Sequence, residues 1–200
     1  MLIDLLELPM PVTVRSQEPI TDEELMQFSR RNRPYRVELN KAGEIIVMTP
    51  VGGIGSNFEF LITAAFARWM EGGADGISFS PSAGFRLPDG SCLSPDGSWI
   101  SSARWNSLTP AQQETFPPLC PDFLIEVRSQ SDSRRALEAK MQLWLDNGAQ
   151  LAWLVDPIDA NVTIYRPSQS PETLDHPEIV RGDGPIAGFE LRCTRLWSQT

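Results

Sequence analysis

Residues 122–156 read DFLIEVRSQSDSRRALEAKMQLWLDNGAQLAWLVD, and the change of period along this stretch decides the fold. From Asp122 to Arg128 the chain alternates. Phe123, Ile125 and Val127 fall on one side of a strand, and Leu124, Glu126 and Arg128 on the other. From about Ser133 to Asn147 the apolar residues Leu137, Met141, Trp144 and Leu145 recur at helical intervals, and Gly148 stops the run. Gln150 to Asp156 is a short apolar run again, so the stretch predicts a strand-helix-strand crossover.

Further out, the chain mixes hairpins with helices. Thr21 and Glu24 form a capping box for a helix that carries Leu25, Met26 and Phe28 and ends before Pro34. Tyr35 to Leu39 and Glu44 to Met48 read as two strands joined by Asn-Lys-Ala-Gly. Between about Gly55 and Glu71, Phe58, Leu61, Ile62, Ala65, Phe66 and Trp69 make the longest helical stripe, closed by Gly72-Gly73. Gly76 to Ser80, Gly84 to Leu87 and Ser98 to Ser101 are short strand-like segments that suggest a meander, and Thr109-Pro110 opens a short helix. Gln150 to Asp156 and Val162 to Arg166 follow as strands, and irregular β structure fills the remainder. The expected fold class is α/β, a mixed β-sheet flanked by helices. Residues 1–20, with Pro11 and Pro19 and no sustained period, read as an N-terminal arm on a single domain over 21–200.

Two hundred residues with 41% hydrophobic content suit one core. No apolar run approaches the roughly 20 residues of a membrane span, which excludes a membrane partner at this stage. The start, Met1-Leu-Ile-Asp-Leu-Leu-Glu, sets acids within its apolar run and does not read as a signal peptide, so a cytoplasmic location is expected. Cys92, Cys120 and Cys193 have long, irregular gaps and are expected to be reduced. His176, the only histidine, sits in an Asp-His-Pro loop and is poorly placed to serve Cys120 as a base. Seventeen basic against 26 acidic residues give a net charge of −9, which opposes non-specific adhesion to nucleic acid. Two arginine clusters run against this total: Arg30, Arg31, Arg33 and Arg36, then Arg128, Arg134 and Arg135 with Lys140.

Three residues draw attention for chemistry. Glu126 lies inside an otherwise apolar strand, where an unpaired carboxylate costs several kcal/mol, so a partner is required. Asp96 precedes the Ser98 strand, and acids on adjacent strands fix a hard cation. An ion pair between Glu126 and Arg128 or another arginine explains the same residue equally well. Lys140 stands at the edge of the helical stripe, from which its ammonium either reaches back over the sheet or snorkels over apolar surface.

Pro95-Asp96 followed after thirty residues by Glu126-Val127-Arg128 resembles the PD-(D/E)xK signature of restriction-endonuclease-like nucleases. The surroundings extend the likeness: Ser82-Ala-Gly-Phe-Arg-Leu-Pro-Asp-Gly90, Ser94-Pro-Asp96, Phe116 to Ser129, Lys140-Met141 and Trp153-Leu-Val-Asp-Pro157 resemble, in order, the Uma-type family of restriction endonucleases, a family expanded in cyanobacteria. Over about residues 20 to 197 the resemblance implies a restriction-endonuclease-like fold, dependence on Mg²⁺ or Mn²⁺, and DNA as the substrate. It also implies Asp96 and Glu126 as metal ligands, Lys140 as the displaced motif lysine, and a homodimer. Glu38 matches the family's early acid and becomes an auxiliary site residue. Arg128 stands where the signature places a lysine, and a guanidinium does not serve as a base. It is expected to contact a phosphate or Glu126, with Arg134 and Arg135 beside it as nucleic-acid-binding residues. Gly97 replaces the usual apolar residue after the motif aspartate. The expected function is hydrolysis of DNA by an endonuclease; the alternatives are a catalytically degenerate module that keeps the fold for interaction, and a structural dimer-forming domain.

Overall fold

The computed structural model describes residues 10–198. Its first half runs β1 (Val12–Arg15), α1 (Asp22–Arg31), β2 (Arg36–Leu39), β3 (Glu44–Met48), α2 (Gly53–Glu71), β4 (Ile77–Phe79), β5 (Phe85–Arg86), β6 (Cys92–Leu93) and β7 (Gly97–Ile100). After two short helices, α3 (Ser102–Trp105) and α4 (Pro110–Glu114), come β8 (Phe123–Val127), α5 (Arg134–Asp146), β9 (Leu151–Asp156) and β10 (Asn161–Tyr165). The chain closes with β11 (Glu172–Asp175), β12 (Ile179–Arg181), β13 (Glu190–Arg192) and α6 (Thr194–Trp197).

A six-stranded sheet in the order β11-β10-β9-β8-β7-β4 forms the centre. Only β8 and β9 are parallel in it, Phe123 beside Leu151 through Val127 beside Val155, with α5 as their crossover. The sheet is therefore mixed and flanked by helices, as the period changes predict. Phe123 and Ile125 point to one face, where they pack with Phe58, Ile62 and Phe66 of α2 and with Phe189 and Leu191. Leu124 points to the other, against Met141 and Trp144 of α5.

The capping boxes form as read: Thr21 with Glu24 at α1, and Thr109 with Gln112 at α4. The meander does not stay together. β4 and β7 join the central sheet, whereas β5 and β6 pair with each other and join a second sheet of order β1-β3-β2-β6-β5 through Leu39 beside Cys92. The cause is the Pro88-Asp89-Gly90 turn, where the Ser91 N–H and hydroxyl both donate to Asp89 Oδ1 and fold two-residue strands back on each other. Part of the stretch read as an arm is built into this second sheet, because β1 pairs antiparallel with β3 from Val12–Val47 to Arg15–Glu44; residues 1–9 lie outside the described residues. All three cysteines are free and buried. Among the described residues no helix is long and apolar enough to cross a membrane.

Candidate active site

Where the second sheet meets the central one, a cleft of about 640 Å³ opens, lined by Arg36, Glu38, Glu59, Asp96, Glu126 and Lys140 among others. Each side chain arrives there for a local reason. β7 and β8 pair with Gly97 opposite Ile125, which sets Asp96 level with Glu126 at the strand ends. Glu126 shares its face with Leu124 and so lies under α5, whose Lys140 and Trp144, four residues apart, share one side of the helix. Glu38 comes from β2 and reaches across to accept the Ser94 N–H at 3.1 Å.

The ammonium of Lys140 lies 2.9 Å from Glu126 Oε1 and 3.3 Å from Glu38 Oε1, and Trp144 Nε1 donates to the same Glu126 oxygen at 2.8 Å. Asp96 Oδ2 accepts the Val127 N–H at 2.8 Å, and its Oδ1 faces Arg36 Nη1 at 3.3 Å. Burial pushes the Glu126 carboxyl above its ordinary range against the pull of Lys140, and the Asp96 and Glu38 carboxylates push it the same way. Burial disfavours the charged form of Lys140, but Glu126 and Glu38 outweigh it and raise its pKa. The ammonium thus keeps its proton, and Glu126 holds its charge with difficulty.

Gly97 has a steric reason. A Cβ there would come within 2.7 Å of Ile62 Cγ2 and 2.8 Å of Phe66 Cε2, both fully buried side chains of α2. The close approach of α2 leaves no room for a side chain there, and Asp96 stands beside this packing.

The sequence-predicted residues therefore divide. Asp96, Glu126, Lys140 and Glu38 converge. Arg128 lines the cleft but does not meet Glu126: its Nη1 lies 2.8 Å from Asp156 Oδ2 and 3.0 Å from Asp159 Oδ2, because the strand is ending and the side chain turns toward β9. The partners of Glu126 are instead Lys140 and Trp144. Arg134 is held by the same two aspartates and by Glu138, and Arg135 is exposed on α5. Sequence reasoning noted Arg36 only as one of an arginine cluster and missed Glu59. Arg36 stands two residues from Glu38 on one strand, which puts both on one side and was the available signal; Glu59 lay hidden inside the strongest helical stripe. Burial pushes the Cys120 thiol up to about 12, which disfavours the thiolate a nucleophile needs.

The matching family model, Uma2, carries the description "Putative restriction endonuclease" and covers residues 22–194. The chain belongs to the Uma2 family. Among solved structures, this Uma2 chain is similar to "a putative nuclease belonging to DUF820" from Anabaena variabilis, with a TM-score of 0.69, 23% identity, and coverage of 90% of this chain and 98% of that one. At that identity the likeness is one of fold. No curated protein matches the chain.

Among the described residues no three His, Cys, Asp or Glu side chains converge as a ready metal cage. The donors present still suit a hard divalent cation. Mg²⁺ is ordinarily held by one or two carboxylates, with water and substrate phosphate completing its shell. Glu126 and Glu38 each direct their hydrogen bonds to Oε1 and leave Oε2 without a partner among the described residues. An all-oxygen set with open positions fits Mg²⁺ or Mn²⁺ and lacks the nitrogen and sulfur ligands of structural zinc.

Proposed function

We propose that this Uma2 chain is a Mg²⁺- or Mn²⁺-dependent endodeoxyribonuclease that hydrolyses DNA phosphodiester bonds. The observation that carries the reading is the meeting of Asp96, Glu126, Glu38 and Lys140, drawn from two strands, the residue before a third and a helix, in one cleft with open carboxylate oxygens. Asp96 and Glu126 are the residues that would hold the cation, with Glu38 as an auxiliary ligand or water orienter. When bound, such a cation supplies charge stabilisation at the phosphate and eases deprotonation of a water nucleophile.

The chain's own groups do the rest. Lys140, kept protonated by Glu126 and Glu38, acts as a hydrogen-bond donor and positive charge toward phosphate rather than as a base. Trp144 fixes Glu126 so that its second oxygen stays open to the cleft. Arg128 and Arg134 give their guanidinium charge to Asp156 and Asp159, so phosphate contacts outside the cleft fall to exposed Arg135 and to Arg30, Arg31 and Arg33, none of which forms an ion pair among the described residues. A homodimer would carry two such clefts to two strands.

The test is conversion of supercoiled plasmid to nicked or linear DNA with Mg²⁺ or Mn²⁺, run beside Asp96→Ala. Product from the wild type alone supports the reading. A degenerate module, the reading favoured by Arg128 in the lysine position of the signature, would give no product from either protein.

A further inference from the structure

Arg36 is in the cleft, yet the signature gives it no part. Its Nη1 faces Asp96 Oδ1 at 3.3 Å and Glu59 Oε1 at 3.2 Å, and its Nη2 donates to the Ser94 carbonyl at 3.4 Å. Charge-assisted N–H···O bonds settle at about 2.7–2.9 Å, so all three contacts are long. The guanidinium is half-enclosed, with its side chain 28% exposed to the cleft. Its fork of five N–H donors suits the tetrahedral oxygens of a phosphate better than the single carboxylate oxygens it now shares.

The charge of the cleft points the same way. Around the Asp96 end of it, Glu38, Glu59, Asp96 and Glu126 face Arg36 and Lys140, since Arg128 is already matched by Asp156 and Asp159; this leaves two negative charges when all are ionised, the complement of one divalent cation. Arg36 presently supplies the positive charge at Asp96, one of the two groups that would hold the cation. A cation and Arg36 therefore compete for the same oxygen. Glu59, on α2, holds Arg36 from its other side and gives it a place to stay when Asp96 is taken.

We propose that Arg36 is a further catalytic residue, a phosphate-binding guanidinium that Asp96 and Glu59 hold in reserve and that the cation's arrival at Asp96 frees to grip the substrate phosphate. The inference rests on the nuclease reading above. It makes a prediction that a merely structural ion pair does not: removing Arg36 has opposite effects on metal affinity and on cleavage. Loss of a positive charge beside the site strengthens cation binding, whereas loss of a donor aimed at the phosphate slows the reaction. If Arg36 served only to position Asp96, its loss would weaken both.

The experiment titrates Mn²⁺ into DNA-free wild type, Arg36→Gln and Arg36→Lys by calorimetry, and follows single-turnover cleavage of a short duplex by each. Arg36→Gln is expected to bind Mn²⁺ several-fold more tightly than wild type and to cleave on the order of 10²-fold more slowly. Arg36→Lys keeps the charge without the fork. It should bind Mn²⁺ within about twofold of wild type and still cleave roughly tenfold or more slower. Weaker or unchanged Mn²⁺ binding by Arg36→Gln, or unchanged cleavage by either variant, overturns the proposal. If Arg36→Gln does not fold, the Lys variant decides, with unchanged cleavage as the contrary result. Failure of the underlying reading shows separately, as a wild type that takes up no Mn²⁺ and yields no product, and this inference then falls with it.

Discussion

Asp122 and Asp156 on one hand, and Glu126 on the other, are buried acids of the same sheet that are treated in opposite ways. Asp122 has both oxygens occupied: Oδ2 by the Ser101 N–H, Oδ1 by Arg104 and Gln150. Asp156 is equally complete, with Oδ1 taking the N–H groups of Ile158 and Asp159 and Oδ2 facing Arg128 and Arg134. Glu126 spends its bonds on one oxygen and keeps the other open beside two further carboxylates. Burying an acid is tolerable when every lone pair is matched. The first two acids are joints between elements; the third is left underpaired where the cleft opens, the condition a cation would correct.

The sharpest way to break this contrast is to neutralise one acid of each kind. Glu126→Gln and Asp96→Ala should each reduce cleavage by 10³-fold or more, on the order of losing a group central to charge stabilisation. At pH 8 and without metal, Glu126→Gln should melt no lower than wild type, because burial already opposes its charge and the amide oxygen still accepts from Trp144. A lowered melting temperature would put Glu126 with the structural acids. Lys140→Met comes next. It keeps the stem and the fold but should cost on the order of 10²-fold in single-turnover rate. An unchanged rate would mean that Lys140 only covers apolar surface.

Asp122→Ala should do the reverse. Stripping the partner from the Ser101 N–H, Arg104 and Gln150 should cost about 3 kcal/mol in denaturant unfolding, the scale of a broken buried ion pair. The fraction that remains folded should cleave at the wild-type rate. Gly97→Ala should be milder, about 1–3 kcal/mol, since the added methyl overpacks Ile62 and Phe66. The smallest effect concerns DNA affinity. Arg135→Glu should weaken binding and flatten its salt dependence by roughly 0.9 in log–log slope per lost phosphate contact. Arg134→Glu should act chiefly through Asp156 and Asp159, which already hold that residue.

What was legible in the sequence follows from the range of the forces involved. The β8-α5-β9 crossover, the α2 stripe and both capping boxes depend on neighbours within one or two turns, and each formed where the period or the cap placed it. The division of the Gly76–Ser101 stretch between two sheets was not legible, because β5 and β6 are two residues long and two residues carry no period. Likewise Val12–Arg15 becomes a strand only because β3 offers it an edge. At the site, Asp96, Glu126 and Lys140 were legible through the signature, whereas Arg36 and Glu59 owe their place to the meeting of β2, α2 and β7 in space. Arg128 shows the converse: adjacency in sequence suggested Glu126 as its partner, and the end of the strand gave it Asp156.

The most direct test is whether the underpaired acids take up a divalent cation. Calorimetric titration of Mn²⁺ into the DNA-free protein, run in parallel on wild type, Glu126→Gln and Asp122→Asn, measures this. Wild type and folded Asp122→Asn should bind saturably, and Glu126→Gln not at all. No binding by wild type, or equal binding by Glu126→Gln, would contradict this.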